Sequence, residues 1–423
     1  MNRSVLTLLT LALLAGVPIA AADDVLLPDD PATSTACIPP PDYDTFAPPA
    51  EVGATYTDPV FGTEVMRVTV AREDRRTMAE VVNSEPCYFN GDGSLFFGAD
   101  EWGKGCLYDG RTGEVVRQLE GVELRPWHIR WSDDPDYFYQ YAGNELRRVN
   151  ARDLSHEVLH TFDEYAEIGP AGGEGDVDDA CRYWLLDGDG SEMFVYDLVQ
   201  REKGEVSPFA VDFKAIDYAT VTSSGEYVVV LWRDRGFERY QGIELYDRDW
   251  RFLRQLAPWC THIEFGFDEN GDEIMVTPAD FGFTEFTDAA GVRPGDIISV
   301  RLKDGHIRAL LTMPKWCHSM YSSCNTWTTP GYVYVSFTDR DFDPTQTWFP
   351  YYGEIVEVPT DGSQQIRRLL HHRSRELEGM SQKATQPDFC INRQGDVIFF
   401  KSNQGQRRTD LYMFQVPPRP SPE

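Results

Sequence analysis

Seven copies of one short pattern constrain this chain more than any other feature of its sequence. Each copy has a polar lead-in, a short strand, a turn, a strongly apolar strand and a third strand, often closing near a Tyr-Asp or Val-Asp pair. The first runs through Cys87-Tyr88-Phe89, turns at Gly91-Asp92-Gly93 and continues as Leu95-Phe96-Phe97. The fourth has Tyr218-Ala219-Thr220, the turn Ser224-Gly225-Glu226 and the apolar residues 227–231. The seventh has Asp388-Phe389-Cys390, then Gln394-Gly395-Asp396 and the apolar residues 397–400. Turn centres fall near residues 92, 134, 179, 225, 271, 330 and 395. Spacings of about 42 to 46 residues suit a four-stranded blade, and insertions stretch the last two intervals. The pattern predicts an all-β fold, a seven-bladed β-propeller over residues 56–417. A β-sandwich with long loops has no need of seven similarly built copies. The last copy runs out of chain after its third strand, and an alternating segment at residues 64–70 is left over. That N-terminal strand is expected to close the last blade, because an open ring would leave an unpaired edge.

The chain outside this ring reads differently. Arg3 precedes an apolar run at residues 5–21, and Ala20-Ala21-Ala22 offers the small side chains that a signal peptidase needs. Residues 1–22 are therefore expected to be a signal peptide, with the mature protein periplasmic or extracellular. Residues 23–55, rich in Pro, Asp, Ala and Thr, read as an acidic linker or a strap on the surface, and 418–423 as a tail. No later segment is long and apolar enough to span a membrane. The formal charge is −30, from 69 acidic against 39 basic residues, of which only seven are Lys. Such a surface repels phosphates, so nucleic acid is a poor partner. Eight Cys in an exported chain favour disulfides, with pairing that spacing alone cannot assign.

In a propeller the innermost strands point one end at the mouth of the central channel. The residues leading into those strands are Glu85, His128, Glu174, Asp217, His262, His318 and Gln386, so three of the eight His take this one place. A solvated, hydrogen-bonded funnel would also use polar residues there. Imidazoles that converge can nonetheless titrate near neutral pH or bind metal. His262, His318 and Gln386 could together hold a divalent ion (Mn, Ca or Zn), with Asp388 or water completing the shell. The competing reading pairs Cys260 with Cys317 as a disulfide and leaves the His to hydrogen-bond. In blade four, Tyr218 leads the inner strand while Arg233 and Arg235 reach the same rim. Tyr can pass a proton, and Arg can grip a carboxylate through two parallel hydrogen bonds. Glu174 belongs to the same rim. Trp348 and Tyr351, with Phe349 and Tyr352 beside them, could pave a binding cleft or cap the hydrophobic layers.

Gly173-Glu174-Gly175-Asp176, Cys260-Thr261-His262, His318, the run from Pro330 to Ser336 and Thr385-Gln386-Pro387-Asp388 resemble exported propellers related to oligogalacturonate lyases and ulvan lyases. The likeness covers most of residues 56–417. It implies cleavage of a uronate-containing, anionic polysaccharide or oligosaccharide by β-elimination. It also implies His262, His318 and Gln386 as a metal set, or His128, Tyr218 and Arg235 as a His/Tyr/Arg set. Pro387 and Asp388 stand where the metal-type pattern expects further His, and no His follows His128 before His156. Elimination needs the uronate neutralised, a base and an acid. Arg235 or a metal would neutralise, His128 or His262 would take the proton, and Tyr218 would give one. Glu174, Arg233, Trp348 and Tyr351 would contact the sugar. The chain is expected to act as a monomer. The alternative is a non-catalytic propeller that binds a periplasmic or cell-surface partner.

Overall fold

The structure, a computed structural model, describes residues 30–71, 87–100, 102–120, 128–172, 174–209, 215–233, 240–280, 282–314, 319–323, 330–338, 348–380 and 382–419. Of 319–323 and 382–383 only the backbone is described. The signal-peptide reading of residues 1–22 lies outside them. Strands dominate, and the described helices are Thr284–Ala290 and the single turn Gln382–Thr385. Neither is long and apolar enough to cross a membrane.

Seven antiparallel sheets follow one another along the chain, and together they form a seven-bladed β-propeller. Blade four shows the recipe: Ile216–Val221, Tyr227–Trp232, Gly242–Asp247 and Phe252–Ala257 pair in sequence order. The second strand, Tyr-Val-Val-Val-Leu-Trp, is buried on both faces because each blade is sandwiched between two neighbours. The outer strand, Phe252–Ala257, is mostly exposed at its start and carries polar residues. The apolar residues fill the wedges between blades: Tyr218, Leu231, Ile243, Ile263, Met275 and Ile298, for example, pack between blades four and five.

The turn from first to second strand has a local cause. Asn90, Asp178, Asp268 and Asn392 hold the same place in four blades. Each side-chain oxygen accepts a backbone N–H from across the turn, from Leu95 (3.0 Å), Tyr183 (2.6 Å), Asp272 (2.9 Å) and Val397 (3.1 Å). Asx side chains mimic a backbone turn in this way, which is why the turns were visible in the sequence. Two blades depart from the pattern. Blade one has a regular ladder of only three strands, and its innermost segment is joined by a single bridge, Phe89 to Phe96. In blade three the inner strand is split into Ile168–Gly169 and a bridge at Val177, with residues 170–176 looping between.

Blade seven consists of Phe389–Ile391, Val397–Ser402 and Asp410–Gln415, and Glu64–Arg67 from the N-terminus pairs outside the last of these. The register places Val65 opposite Phe414 and Arg67 opposite Tyr412. Buried Arg67 forms an ion pair with buried Asp410. Thr55–Thr57 adds a fifth strand.

The segment before that strand is a strap over blade six. The carbonyls of Ser34 and Ala36 accept from Arg368 (3.1 and 2.8 Å), and the carbonyl of Ile38 lies 2.8 Å from Nε2 of His371. Asp58 Oδ2 lies 3.0 Å from the other nitrogen of that ring. Acceptors at both nitrogens favour the protonated ring. Burial would push its pKa down, but the bond and charge of Asp58 and the charge of Glu354 win and raise it. His372 is the opposite case. Its Nε2 donates to the Phe337 carbonyl (3.0 Å) while its Nδ1 accepts the Ser374 N–H (3.0 Å), so the ring is neutral. Burial pushes its pKa down to about 4.

The unfolded chain takes up a proton here near pH 6.5, and the folded chain refuses it until about 4. The contribution of His372 is therefore complete above pH 6.5 and is lost as pH falls toward 4. Urea unfolding of wild type and His372→Gln across this window should show the wild-type advantage shrinking by about 3 kcal/mol. A constant gap would mean that the folded chain protonates His372 as readily as the unfolded one.

Candidate functional site at the channel mouth

The strands that open toward the mouth bring blades three, four and five together. Gly172 and Gly175 press the loop of residues 170–176 onto the inner strand of blade four. A Cβ on Gly172, whose φ is +102°, would lie 2.6 Å from the Asp217 carbonyl oxygen, and one on Gly175 would lie 2.7 Å from that of Ala219. Only glycine permits this approach. The loop carries Glu174 to the rim and Asp176 into the channel.

At the rim, Arg233 follows the second strand of blade four, and its N–H donates to the Ala215 carbonyl (2.8 Å). This puts its guanidinium beside the start of the inner strand, where Nε donates to Asp217 Oδ1 (2.9 Å). The Cys260 thiol of blade five donates to the other oxygen of Asp217 (3.5 Å). Burial, reinforced by Asp217, pushes the Cys260 thiol up, so it stays protonated at neutral pH. The charge of Glu174 acts on both Arg233 and Cys260. The lead-in residues of three successive blades thus meet at one end of the wheel. Arg233 remains half-exposed (54 %) and can still face a ligand.

Below this rim lies a cavity of about 40 Å³, lined by Asp176, Asp179, Tyr218, Thr220, Ser223 and Glu264, among others. Tyr218 is buried, with its ring in the wedge between blades four and five and its surface on the cavity wall. Asp179 is pushed up to about 7 by burial, against the opposing charge of Arg393. Across the channel, Asp176 ties three blades together. Its carboxylate accepts the Cys87 N–H of blade one (2.7 Å) and pairs with Arg130 of blade two (3.1 Å). Buried Arg393 of blade seven donates to the Asp179 carbonyl (3.3 Å) and to the Cys181 sulfur (3.5 Å).

The remaining residues singled out from sequence are dispersed. His128 stands at the start of blade two, its ring 4.5 Å from that of Tyr141. His262 is half-buried at the start of blade five, its carbonyl accepting from the Thr277 hydroxyl (3.1 Å). Gln386 is half-buried just before the inner strand of blade seven. Glu85, Arg235 and His318 lie outside the described residues, as does Cys317, the proposed partner of Cys260. Asp388 is buried and forms an ion pair with Lys401. Tyr351 is no cleft wall either: it is buried in the blade-six cluster, its ring 5.6 Å from the Arg368 guanidinium. Trp348 packs edge-on against Tyr352 and against Tyr43 of the strap (5.0 and 4.9 Å). These aromatics cap hydrophobic layers. Among the described residues no three His, Cys, Asp or Glu are grouped to hold a metal ion, and the six described Cys are all unbridged.

Sequence reasoning missed Arg130, Asp176 and Arg393. The Gly-rich spacing around Asp176 was the available signal, since glycines mark a close backbone approach. Arg130 and Arg393 sit inside or just beyond short apolar strands, and nothing local sets them apart.

No protein-family model matches the chain, and no curated protein matches it in sequence. Solved structures do match. An oligogalacturonate lyase from Vibrio parahaemolyticus aligns with a TM-score of 0.60 at 16 % identity, over 86 % of this chain and 96 % of its own. A second oligogalacturonate lyase, in complex with manganese, aligns at 0.58 with 18 % identity, over 86 % and 96 %. At such identities the likeness is one of fold, and this chain is a seven-bladed β-propeller built like those of oligogalacturonate lyases.

Proposed function

We propose that the protein is an exported lyase that cleaves a uronate-containing polysaccharide or oligosaccharide by β-elimination at the channel mouth. The observation that carries this reading is the half-exposed Arg233 guanidinium at the rim, with the Tyr218 inner strand and the start of blade five beside it, on a lyase-type propeller. A guanidinium neutralises a uronate carboxylate and so acidifies the C5 proton. His262 or His128 takes that proton, and Tyr218 hands one to the leaving oxygen.

Substrate must compete with Asp217 for Arg233, and Arg235 would supply a second guanidinium. A divalent ion would be held by His262, His318 and Gln386, whose imidazole and amide donors suit manganese or zinc. His262 and Gln386 flank blade six at the same end of their strands, which fits such a set, and one related lyase holds manganese. When bound, the ion would polarise the uronate carboxylate. Every other step rests on the protein's own side chains.

A screen of anionic polysaccharides, following the absorbance of the unsaturated product, tests the reading directly. Arg233→Lys should lower kcat/KM about ten- to a hundred-fold on the responsive substrate, since an ammonium cannot reproduce a planar two-pronged contact. Binding without product formation would support the non-catalytic alternative, and neither binding nor product would reject both.

A further inference from the structure

We propose that Cys87 and Cys390 form a disulfide that staples the innermost segment of blade one to the innermost strand of blade seven. The two residues lie on adjacent blades at the hub, in the same buried cluster with Phe89, Phe96 and Phe399. The Cys87 thiol donates to the Phe89 carbonyl (3.5 Å) and the Cys390 thiol to the Ile391 carbonyl (3.4 Å), and each thiol shifts the pKa of the other. Rings hold this seam in register: Phe399, the ladder partner of Cys390, packs on Phe89 at 5.3 Å and on Phe96 at 4.9 Å.

Blade one is where such a bond has most to do. Among the described residues its inner segment is held to the next strand by the Phe89–Phe96 bridge, with the Phe97 N–H donating to the Tyr88 carbonyl (3.0 Å) and the Asn90 N–H to the Leu95 carbonyl (3.0 Å). The outer rim is already closed by Glu64–Arg67 on Asp410–Gln415, so the hub is the remaining seam between first and last blades. A crosslink there spans nearly the whole ring and restricts the unfolded chain accordingly.

The environment also favours the chemistry. Interaction with Cys390 lowers the Cys87 pKa against burial, and Arg393 adds to the effect, whereas burial raises the pKa of Cys390, so Cys87 is the better nucleophile of the two. With glutathione disulfide as oxidant, the Cys87 thiolate attacks one glutathione sulfur and expels the other as thiolate. Cys390 then gives its proton to the glutathione thiolate already released, attacks the Cys87 sulfur of the mixed disulfide and expels the second glutathione. The two cysteines lose two electrons and two protons, and glutathione disulfide becomes two thiols.

The full chain is unfolded, refolded in glutathione buffers from reducing to oxidising, alkylated and digested without reduction. The expected result is a linked peptide pair containing Cys87 and Cys390, appearing as the buffer becomes oxidising. The melting temperature should rise by several degrees in parallel. Cys390→Ser and Cys87→Ser should each abolish that rise, whereas Cys37→Ser, at an exposed site, should leave it intact. Should the Ser variants not fold, Cys390→Val serves in their place, and the peptide map of the wild type stands without them. Alkylation of both thiols at the most oxidising setting, or linkage of Cys87 to Cys181 instead, would overturn the proposal.

Discussion

An Arg368→Met propeller will be less stable than the wild type by about 3–5 kcal/mol, the cost of stranding a buried charge. Arg368 is fully buried and donates to both oxygens of Glu354, at 2.7 and 2.5 Å. Its guanidinium lies between the rings of Phe61 and Tyr351, at 5.1 and 5.6 Å, and it reaches out to two strap carbonyls. Methionine fills much of the same volume but strips Glu354 of its two-pronged partner, with the His371 ring 3.7 Å away. Burial already raises the pKa of Glu354, and loss of the arginine drives it further toward the neutral form. Urea unfolding measures the loss, and limited proteolysis of residues 30–54 should show the strap released. Adding Glu354→Leu should recover part of the stability, because the stranded charge is then gone as well. A single variant within 1 kcal/mol of wild type would mean that the strap and blade six do not depend on this ion pair.

Tyr218→Phe should lower turnover on the responsive uronate chain about 10²- to 10⁴-fold, the usual cost of removing a general acid. The ring is held by the wedge between blades four and five, and phenylalanine keeps that packing, so the fold should be retained. That separation of activity from stability distinguishes a catalytic hydroxyl from a structural one. The measurement is the initial rate of unsaturated-product formation, with melting curves run on the same preparations. Unchanged turnover in Tyr218→Phe together with unchanged turnover in His262→Ala would remove both forms of the mechanism and leave the non-catalytic propeller.

The candidate site was less legible than the fold. Placing Glu174, Asp217 and the Cys260–His262 segment at one end of the wheel required only the phase of each blade, and the turns supplied that phase. What Arg233 touches could not be read this way. Its partner Asp217 is on a neighbouring strand, and the pairing depends on where two strands end relative to each other. Tyr351 and Trp348 stayed open between cleft and cap for a related reason: an aromatic in an insertion can face solvent or a hydrophobic layer, and the strap residue Tyr43, far away in sequence, helps to decide which.

The sequence by itself determined the number of blades, their order, the doubly buried second strands and the turns that open them. The turns rest on side-chain bonds that span about five residues, and the apolar strands recur seven times, so periodicity exposes both. The tertiary structure alone decided that Asp176 spans the channel to blades one and two, that the pKa of His371 is raised while that of His372 is lowered, and that Cys87 and Cys390 share one buried cluster. Each depends on ring closure, which brings side chains from distant blades into a dry interior. There, the protonation and reactivity of a group follow from its few immediate neighbours, and chain order does not specify them.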